Sequence, residues 1–300
     1  MKTATGTEYR GEVGVNAMDV RDLRGRTVLV TGAGSGIGKE TALAFARRGA
    51  DLVICDVNED GLATTAQLAR ALGRQVLARR VDVADRDQMR EFAAAVHRQV
   101  DAVDILMNNA GVGLGGGALD TELEDWDWII GINLYGVIYG CHFFLPPMVE
   151  RGRGGHVVNV SSTAGYGATS MLTAYSTTKF AVLGFSEAIR EELTPHGIGV
   201  TAVCPGIINT SITESARMRG PDATPDTRRY IVERYRRRNY GPERVADNIL
   251  KAVERNRAVA PISPEAWFAY VLKRAAPGFL AWFSRRSLQR MRQEIRNLNP

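Results

Sequence analysis

The stretch AYSTTKF, residues 174–180, sets Tyr175 and Lys179 four positions apart with small polar residues between them. On a helix, groups at that spacing stack on one face, so a phenol and an ammonium come side by side. A free tyrosine, with a pKa near 10, is a poor base at neutral pH, and a neighbouring cation favours its phenolate. Such a pair suits withdrawal of a proton from an alcohol oxygen while hydride leaves the adjoining carbon. Lowering the pKa by about three units corresponds to about 4 kcal/mol. Solvated helix faces carry the same spacing without any chemistry, so the pair needs support from the rest of the chain.

That support starts at VTGAGSGIGKE, residues 30–40, a glycine-rich turn between an apolar run and a helical one. In that context backbone N–H groups can approach a pyrophosphate. Gly32 lets the chain turn, Gly36 lets phosphates approach and Gly38 permits close helix packing. Asp56 ends the next apolar run, eighteen residues after Gly38, near the place where a carboxylate accepts hydrogen bonds from an adenosine ribose. Two unit charges about 4 Å apart at an effective dielectric of about 20 interact by roughly 4 kcal/mol, so Asp56 should repel a 2'-phosphate. The expected cofactor is therefore NAD rather than NADP. A plain glycine turn followed by a strand-end aspartate is the alternative reading.

The elements that must position these groups alternate along the chain. RTVLVTG, DLVICD, QVLARRVDV, VDILMNNAG, GHVVNVSS, IGVTAVCPG and RAVAPIS read as short buried strands. Between them GKETALAFARRGA, NEDGLATTAQLARALG, DRDQMREFAAAVHRQV, the long LEDWDWIIGINLYGVIYGCHFFLPPMVERG, AYSTTKFAVLGFSEAIREELTPHG and GPERVADNILKAVERN read as helices. This order predicts an α/β fold: a doubly wound parallel sheet of the Rossmann type with helices on both faces. Residues 210–240 read as basic and irregular. Residues 1–23 read as a polar extension, 24–263 as one domain, and 264–300 as a basic amphipathic helical tail broken at APG.

With these motifs in hand the sequence resembles the short-chain dehydrogenase/reductase family from about Arg24 to Ser263. TGAGSGIG fits its TGxxxGxG segment, NNAG its fourth-strand motif, NVSS its serine strand, YSTTK its YxxxK motif and PGIINT its PGxxxT segment. The resemblance implies Tyr175 as general acid/base, Lys179 as its electrostatic partner and a ribose ligand, and Ser162 as the hydrogen-bonding partner of the substrate oxygen. It implies Asn133, in INLYG, as support for a proton relay; an amide satisfying backbone groups is the other reading. Ser162 lies thirteen positions before Tyr175 as in the family, whereas Ser161 should point to the opposite face of its strand. Cofactor contacts are implied for Gly32, Ser35, Gly36, Ile37, Gly38 and Asp56, for Asp82 and Val83 beside the adenine, and for Asn109, Ala110 and Gly111 along the cleft. Pro205, Gly206, Ile208 and Thr210 complete the set, with Ile208 and Thr210 at the nicotinamide carboxamide. NADP-preferring relatives often carry a basic residue where this chain has Ser35 or Val57, which agrees with NAD. The resemblance also implies a homodimer or homotetramer formed through the helix carrying Tyr175 and its neighbour.

Composition narrows the remaining classes. The formal charge is +5, but the excess is concentrated in arginines after residue 216 and in the tail. Zinc-finger spacing, an RNA-recognition strand motif and a basic region followed by heptads are all missing from the sequence, so no nucleic-acid partner is expected. The four histidines lie in separate elements without metal-ligand spacing, so no metal is expected either. Cys55, Cys141 and Cys204 sit in apolar runs and read as reduced, buried thiols, which points to the cytoplasm. No apolar run near 18 residues and no apolar signal-peptide centre are legible. The glycine-rich GVGLGGGALD and the lid at 211–240, with Met218 and Tyr230, are expected to wall the substrate cleft. The lid arginines read as a solvated face in preference to an acidic-substrate site. The tail's Trp267, Phe268, Trp282, Phe283, Leu288, Met291 and Ile295 fall at roughly helical spacing with arginines between them. They suit packing on the subunit or a sister subunit, or contact with an anionic membrane surface. The expected reaction interconverts an apolar secondary alcohol and its ketone; an NADP-dependent carbonyl reductase and a non-catalytic dinucleotide-binding scaffold are the rivals.

Overall fold

A computed structural model describes residue 19 and residues 21–298, so most of the polar extension lies outside the described residues. Seven strands form the main sheet: β1 (Thr27–Thr31), β2 (Asp51–Asp56), β3 (Val76–Arg80), β4 (Ile105–Asn108), β6 (Gly155–Val160), β7 (Ile198–Cys204) and β9 (Val259–Pro261). All neighbours are parallel, in the order β3-β2-β1-β4-β6-β7-β9. Strands β4, β6 and β7 are buried along their whole length, as sequences with no polar alternation require. A separate pair, β5 (Leu114–Gly115) and β8 (Arg217–Met218), ties the loop after β4 to the lid; the sequence pattern is too short to reveal it.

Helices cover both faces. On one, α1 (Gly36–Arg47), α2 (Glu59–Ala71) and α9 (Pro242–Glu254) pack Phe45, Leu62 and Ile249 against Val28, Ile54 and Val203. On the other, α3 (Arg86–His97), α5 (Gly136–Arg151) and α6 (Thr173–Leu193) bury Phe92, Phe144 and Ile189 against Leu29, Leu106 and Val157. Local chemistry sets the helix starts: Asn58 accepts from the Gly61 N–H at 3.1 Å, and Asp85 from Asp87 and Gln88 at 2.9 and 3.0 Å. The short α4 (Leu123–Ile130) runs through a π-helical turn, Gly131–Tyr135, into α5. That continuous rod, Leu123–Arg151, is long and apolar enough by length and composition to cross a membrane, contrary to the sequence reading. Val137, Cys141, Phe144 and Met148 on it belong to the interior, as in a core helix.

The basic segment at 210–240 is not irregular. It contains α7 (Ile212–Ser215), β8 and α8 (Pro225–Arg238). Thr224 caps α8 by accepting from the Thr227 N–H at 3.1 Å, with Pro225 at the first helical position. Its arginines form helix readily but supply no apolar period, which is why pattern alone misses it. The tail is helical as expected, in α10 (Pro264–Ala275) and α11 (Pro277–Leu298).

The chain turns back at β1, so β2 and β3 lie to one side and β4 onward to the other. The crevice at the carboxyl ends of β1 and β4 is thus the topological switch point, where such sheets bind ligands. At the opposite end, the buried carboxylate of Asp104 holds Arg26 at 2.9 Å, Arg151 at 3.1 Å and the Thr27 N–H at 2.8 Å. Arg151 is itself buried there. Asp104→Ala, which strands that cation, is expected to cost about 3–5 kcal/mol; a denaturant midpoint equal to the parent's would contradict the assignment.

Candidate active site

At the switch point the glycine turn leaves β1 and opens α1. Gly32 and Gly36 have φ of 65° and 53°, a region that side chains rarely adopt. A Cβ on Gly32 would lie 2.7 Å from the Ala110 Cα, so no larger residue fits between the turn and the end of β4. A Cβ on Gly38 would collide with the Gly32 carbonyl. The first turn of α1 has no acidic residue and no side-chain cap, which leaves its N–H groups directed at the crevice. Thr210 closes this side: its Cγ2 is 3.4 Å from where a Gly36 Cβ would stand. Uncapped helix N–H groups beside a glycine turn fit the pyrophosphate of a dinucleotide.

The turn is pinned by residues from β1 and β4. Asn109 donates from its side chain to the carbonyls of Thr31 and Gly32 at 2.8 and 3.0 Å. The buried Thr31 hydroxyl accepts from the N–H groups of Asn109 and Ala110, both at 3.0 Å. Thr31 opens the TGxxxGxG segment, but its bonds to β4 follow from the sheet order and not from the motif. Asp56 lies at the end of β2 and accepts from the N–H groups of Gly34 at 2.7 Å and Asn58 at 2.9 Å. Those bonds hold the carboxylate at the loop edge, and among the described residues no salt bridge to it occurs, Arg80 opposite it in the sheet pairing instead with Glu59. Asp82 accepts from the Ala84 N–H at 2.9 Å, and Val83 is buried against α5 at Gly136. Ser35 is exposed and Ile37 half-buried beside this crevice.

Asn133, Ser162, Tyr175 and Lys179 gather next to the turn. The π-helical turn carries Asn133 into the interior, where its amide accepts from the Val112 N–H at 2.8 Å and donates to the Val112 carbonyl at 3.0 Å. The amide therefore satisfies backbone groups, in the loop that faces Lys179. A Cβ on Gly111 would lie 3.2 Å from the Asn133 oxygen and 3.4 Å from the Lys179 Nζ. Lys179 is buried and donates to the Val160 carbonyl at 3.0 Å. Its ammonium stands 5.7 Å from the centre of the Tyr175 ring. Ser161 turns away and donates to the Lys179 carbonyl at 2.7 Å, whereas the Ser162 hydroxyl is on the Tyr175 side and accepts from the Ala164 N–H at 3.1 Å.

The protein's own groups, without the nicotinamide charge on which the expected depression also draws, do not lower the phenol. Burial pushes Tyr175 up to about 12, partly offset by hydrogen bonding with Ser162, and burial pushes Lys179 down to about 8. Desolvation disfavours both charges more than the pair favours them at this separation. A phenol raised in this way is better suited to donating a proton than to withdrawing one.

Pro205, Gly206 and Ile208 follow β7. The Pro205 carbonyl accepts from the N–H and hydroxyl of Thr163, both at 2.9 Å, and Ile208 is buried. Glu265, from α10, accepts from the Ile207 N–H at 3.1 Å and from Arg238 at 2.9 Å. A tail residue thus holds the loop beside the cleft, a link that nothing in the sequence announces. Tyr230 points its hydroxyl at Glu294 of α11, away from the cleft where the sequence would place it. Tyr235 of α8 is the lid side chain close enough to Tyr175 to influence its ionisation. Met218 lines a cavity of about 460 Å³ with Ala223, Pro225, Arg228 and Val232, a space formed by the lid itself. None of the four catalytic candidates borders it. Among the described residues no cluster of potential metal ligands occurs.

The lid is latched by Asp125, a buried carboxylate on α4. Arg219 binds it at 2.6 Å and Arg217 at 3.2 Å, and the Arg217 guanidinium stacks 3.8 Å above Trp128. Burial pushes the Asp125 carboxyl up, but hydrogen bonds and charge from Arg219 and Arg217 outweigh it and hold it below the ordinary carboxylate range. A depressed folded-state pKa gives stability that is present above the unfolded pKa and lost as pH falls through the folded value. Asp125→Asn should therefore melt below the parent at pH 7, with the gap closing in acid. A gap independent of pH would show that the latch does not act through charge.

Comparison with known proteins agrees with this geometry. The sequence profile described as short chain dehydrogenase matches residues 26–219. The chain is 43% identical over 254 residues to the probable oxidoreductase EphD of Mycobacterium tuberculosis, covering 83% of this chain and 43% of that protein. It thus spans less than half the length of that relative. It is 38% identical over 254 residues to the putative oxidoreductase SadH of the same organism, covering 83% of this chain and 90% of the relative. Among solved structures, a short chain dehydrogenase/reductase from Burkholderia phymatum in complex with NAD superposes with a TM-score of 0.78 at 29% identity, covering 84% of this chain and 93% of that one.

Proposed function

The chain belongs to the short-chain dehydrogenase/reductase family, and from that premise we propose that it is an NAD-dependent oxidoreductase interconverting an apolar secondary alcohol and its ketone. One observation carries the reading: Ser162, Tyr175, Lys179 and Asn133 converge beside an uncapped helix N-terminus and glycine turn. A nicotinamide dinucleotide, when bound, takes up or supplies the hydride. Gly32, Ser35, Gly36, Ile37 and Gly38 would cradle its pyrophosphate, Asp56 its adenosine ribose, and Asp82 with Val83 its adenine. Asn109, Ala110, Gly111, Pro205, Gly206, Ile208 and Thr210 would line the rest of the cleft.

The protein's own part is positioning and proton transfer. Ser162 orients the substrate oxygen toward Tyr175, which donates a proton to a carbonyl or withdraws one from an alcohol. Donation suits the un-ionised phenol found here; withdrawal requires added positive charge near the ring, because Lys179 alone does not overcome burial. Lys179 and Asn133, facing each other across Gly111, provide a path by which the phenol's proton is exchanged with solvent.

An apolar substrate is favoured because the lid arginines are occupied by protein partners. Arg217 and Arg219 bind Asp125, Arg228 donates to the carbonyls of Glu214 and Ala216, Arg237 pairs with Glu233 and Arg238 with Glu265. We further infer a homo-oligomer through α5 and α6, where Phe180 is exposed beside a cavity of about 530 Å³ along α6.

Fluorescence titration with NADH and NADPH tests the cofactor: NADH should bind at least roughly tenfold more tightly, given the uncompensated charge of Asp56. Equal or tighter NADPH binding would overturn the NAD assignment. Tyr175→Phe should leave NADH affinity within about twofold while lowering turnover by about 10²–10⁴; retained turnover would remove Tyr175 from proton transfer.

A further inference from the structure

We propose that the outward faces of α10 and α11 form a docking surface for an anionic lipid bilayer, placing the enzyme at a membrane face without spanning it. The two helices each have two apolar stripes, and packing uses one of them. On α11 the inward stripe is Leu280, Ser284, Leu288, Met291 and Ile295, all buried or half-buried. Contacts of Tyr230 with Glu294, and of Arg292 with Asp222 at 2.6 Å, hold this side to the lid. The opposite stripe is Phe279, Trp282 and Phe283 at i, i+3 and i+4, followed on the same face by Arg286 and Arg290. On α10, Ala266 faces inward and is fully buried, while Trp267, Phe268 and Val271 face out. These six large apolar side chains are 41–60% exposed. An exposed apolar patch of this kind on consecutive helices marks an interaction surface.

Charge identifies the occupant. From Pro264 to Leu298 the chain carries Lys273, Arg274, Arg285, Arg286, Arg290, Arg292 and Arg296 against Glu265 and Glu294. Both acids are engaged inward, Glu265 with Arg238 and the Ile207 N–H, Glu294 with Tyr230. Lys273, Arg274, Arg285, Arg286 and Arg290 have no carboxylate partner among the described residues. Arg274 lies 3.8 Å over the Tyr270 ring and Arg286 5.8 Å over Trp282, so cations and aromatic rings occupy the same surface. Guanidinium groups beside half-exposed tryptophan and phenylalanine match the headgroup–acyl boundary, where phosphates meet the cations and hydrocarbon receives the rings. A second copy of the chain matches less well, because a two-fold contact would set arginines against arginines. A nucleic acid would satisfy the cations and leave Phe268, Val271 and Phe283 in water.

The test needs no substrate. The full chain is sedimented with vesicles of phosphatidylcholine alone or with one-third phosphatidylserine, and tryptophan emission is followed in parallel. Strong partitioning to the serine-containing vesicles, at least tenfold weaker on phosphatidylcholine and in 0.5 M salt, with a blue shift of tryptophan emission, is the expected result. Trp282→Ser with Phe283→Ser, and separately Arg285→Glu with Arg286→Glu, should each lower partitioning at least tenfold without changing the melting temperature or the oligomeric state. Equal binding to both vesicle types, or none, would overturn the proposal. So would dissociation of the oligomer by Trp282→Ser with Phe283→Ser, which would identify the face as a subunit interface. Binding to a single-stranded oligonucleotide in place of vesicles would overturn it too.

Discussion

The site is organised by one costly group, the buried ammonium of Lys179. An unpaired cation in the interior is unfavourable unless its donors are satisfied, and the fold supplies the Val160 carbonyl at 3.0 Å. Meeting that need requires the end of β6 to reach the first turns of α6, while the π-helical turn brings Asn133 against Val112 nearby. Tyr175 then stands one helical turn from a cation that is fixed in place, and Ser162 beside its hydroxyl. Burial raises the phenol to about 12 and lowers the ammonium to about 8, moving apart two values that nearly coincide in free side chains.

Close backbone approach is the second constraint, and it joins cofactor side to catalytic side. The glycine turn can meet β4 because Gly32 has no side chain to strike Ala110, and Asn109 with Thr31 bonds the two strand ends together. The switch point is therefore rigid on the side where a pyrophosphate would bind, while the opposite wall is assembled from a lid. That lid is fastened at discrete points: the β5–β8 pair, the Asp125 clamp on Arg217 and Arg219, and Glu265 reaching from α10 to Ile207 and Arg238. Few apolar contacts are involved, which is the pattern of a segment that opens more readily than the core.

The tail extends this logic outward. Glu265 belongs at once to the tail and to the wall of the cleft, and α11 rests on the lid through Tyr230 of α8 and Asp222 in the turn before it. The outer faces of α10 and α11 point away from the lid, so a surface seated on them would lie one helix layer from it. An apolar substrate and a surface that suits lipid each rest on their own observations.

The sequence by itself determined the alternation of strands and helices, the parallel sheet, the glycine turn and the Asn133, Ser162, Tyr175 and Lys179 set. These are local or periodic features: buried parallel strands need uninterrupted apolar runs, and the motifs require particular residues at particular spacings. The helix α8 was hidden because arginines carry no apolar period, and the Tyr230 orientation because exposure is set by what packs above it. Asp125 and Glu265 were equally silent, since their partners lie 94 and 58 positions away in the chain. The direction of the Tyr175 shift also depended on tertiary structure: sequence supplies the neighbouring cation, but only the packing decides how much water remains to solvate the two charges.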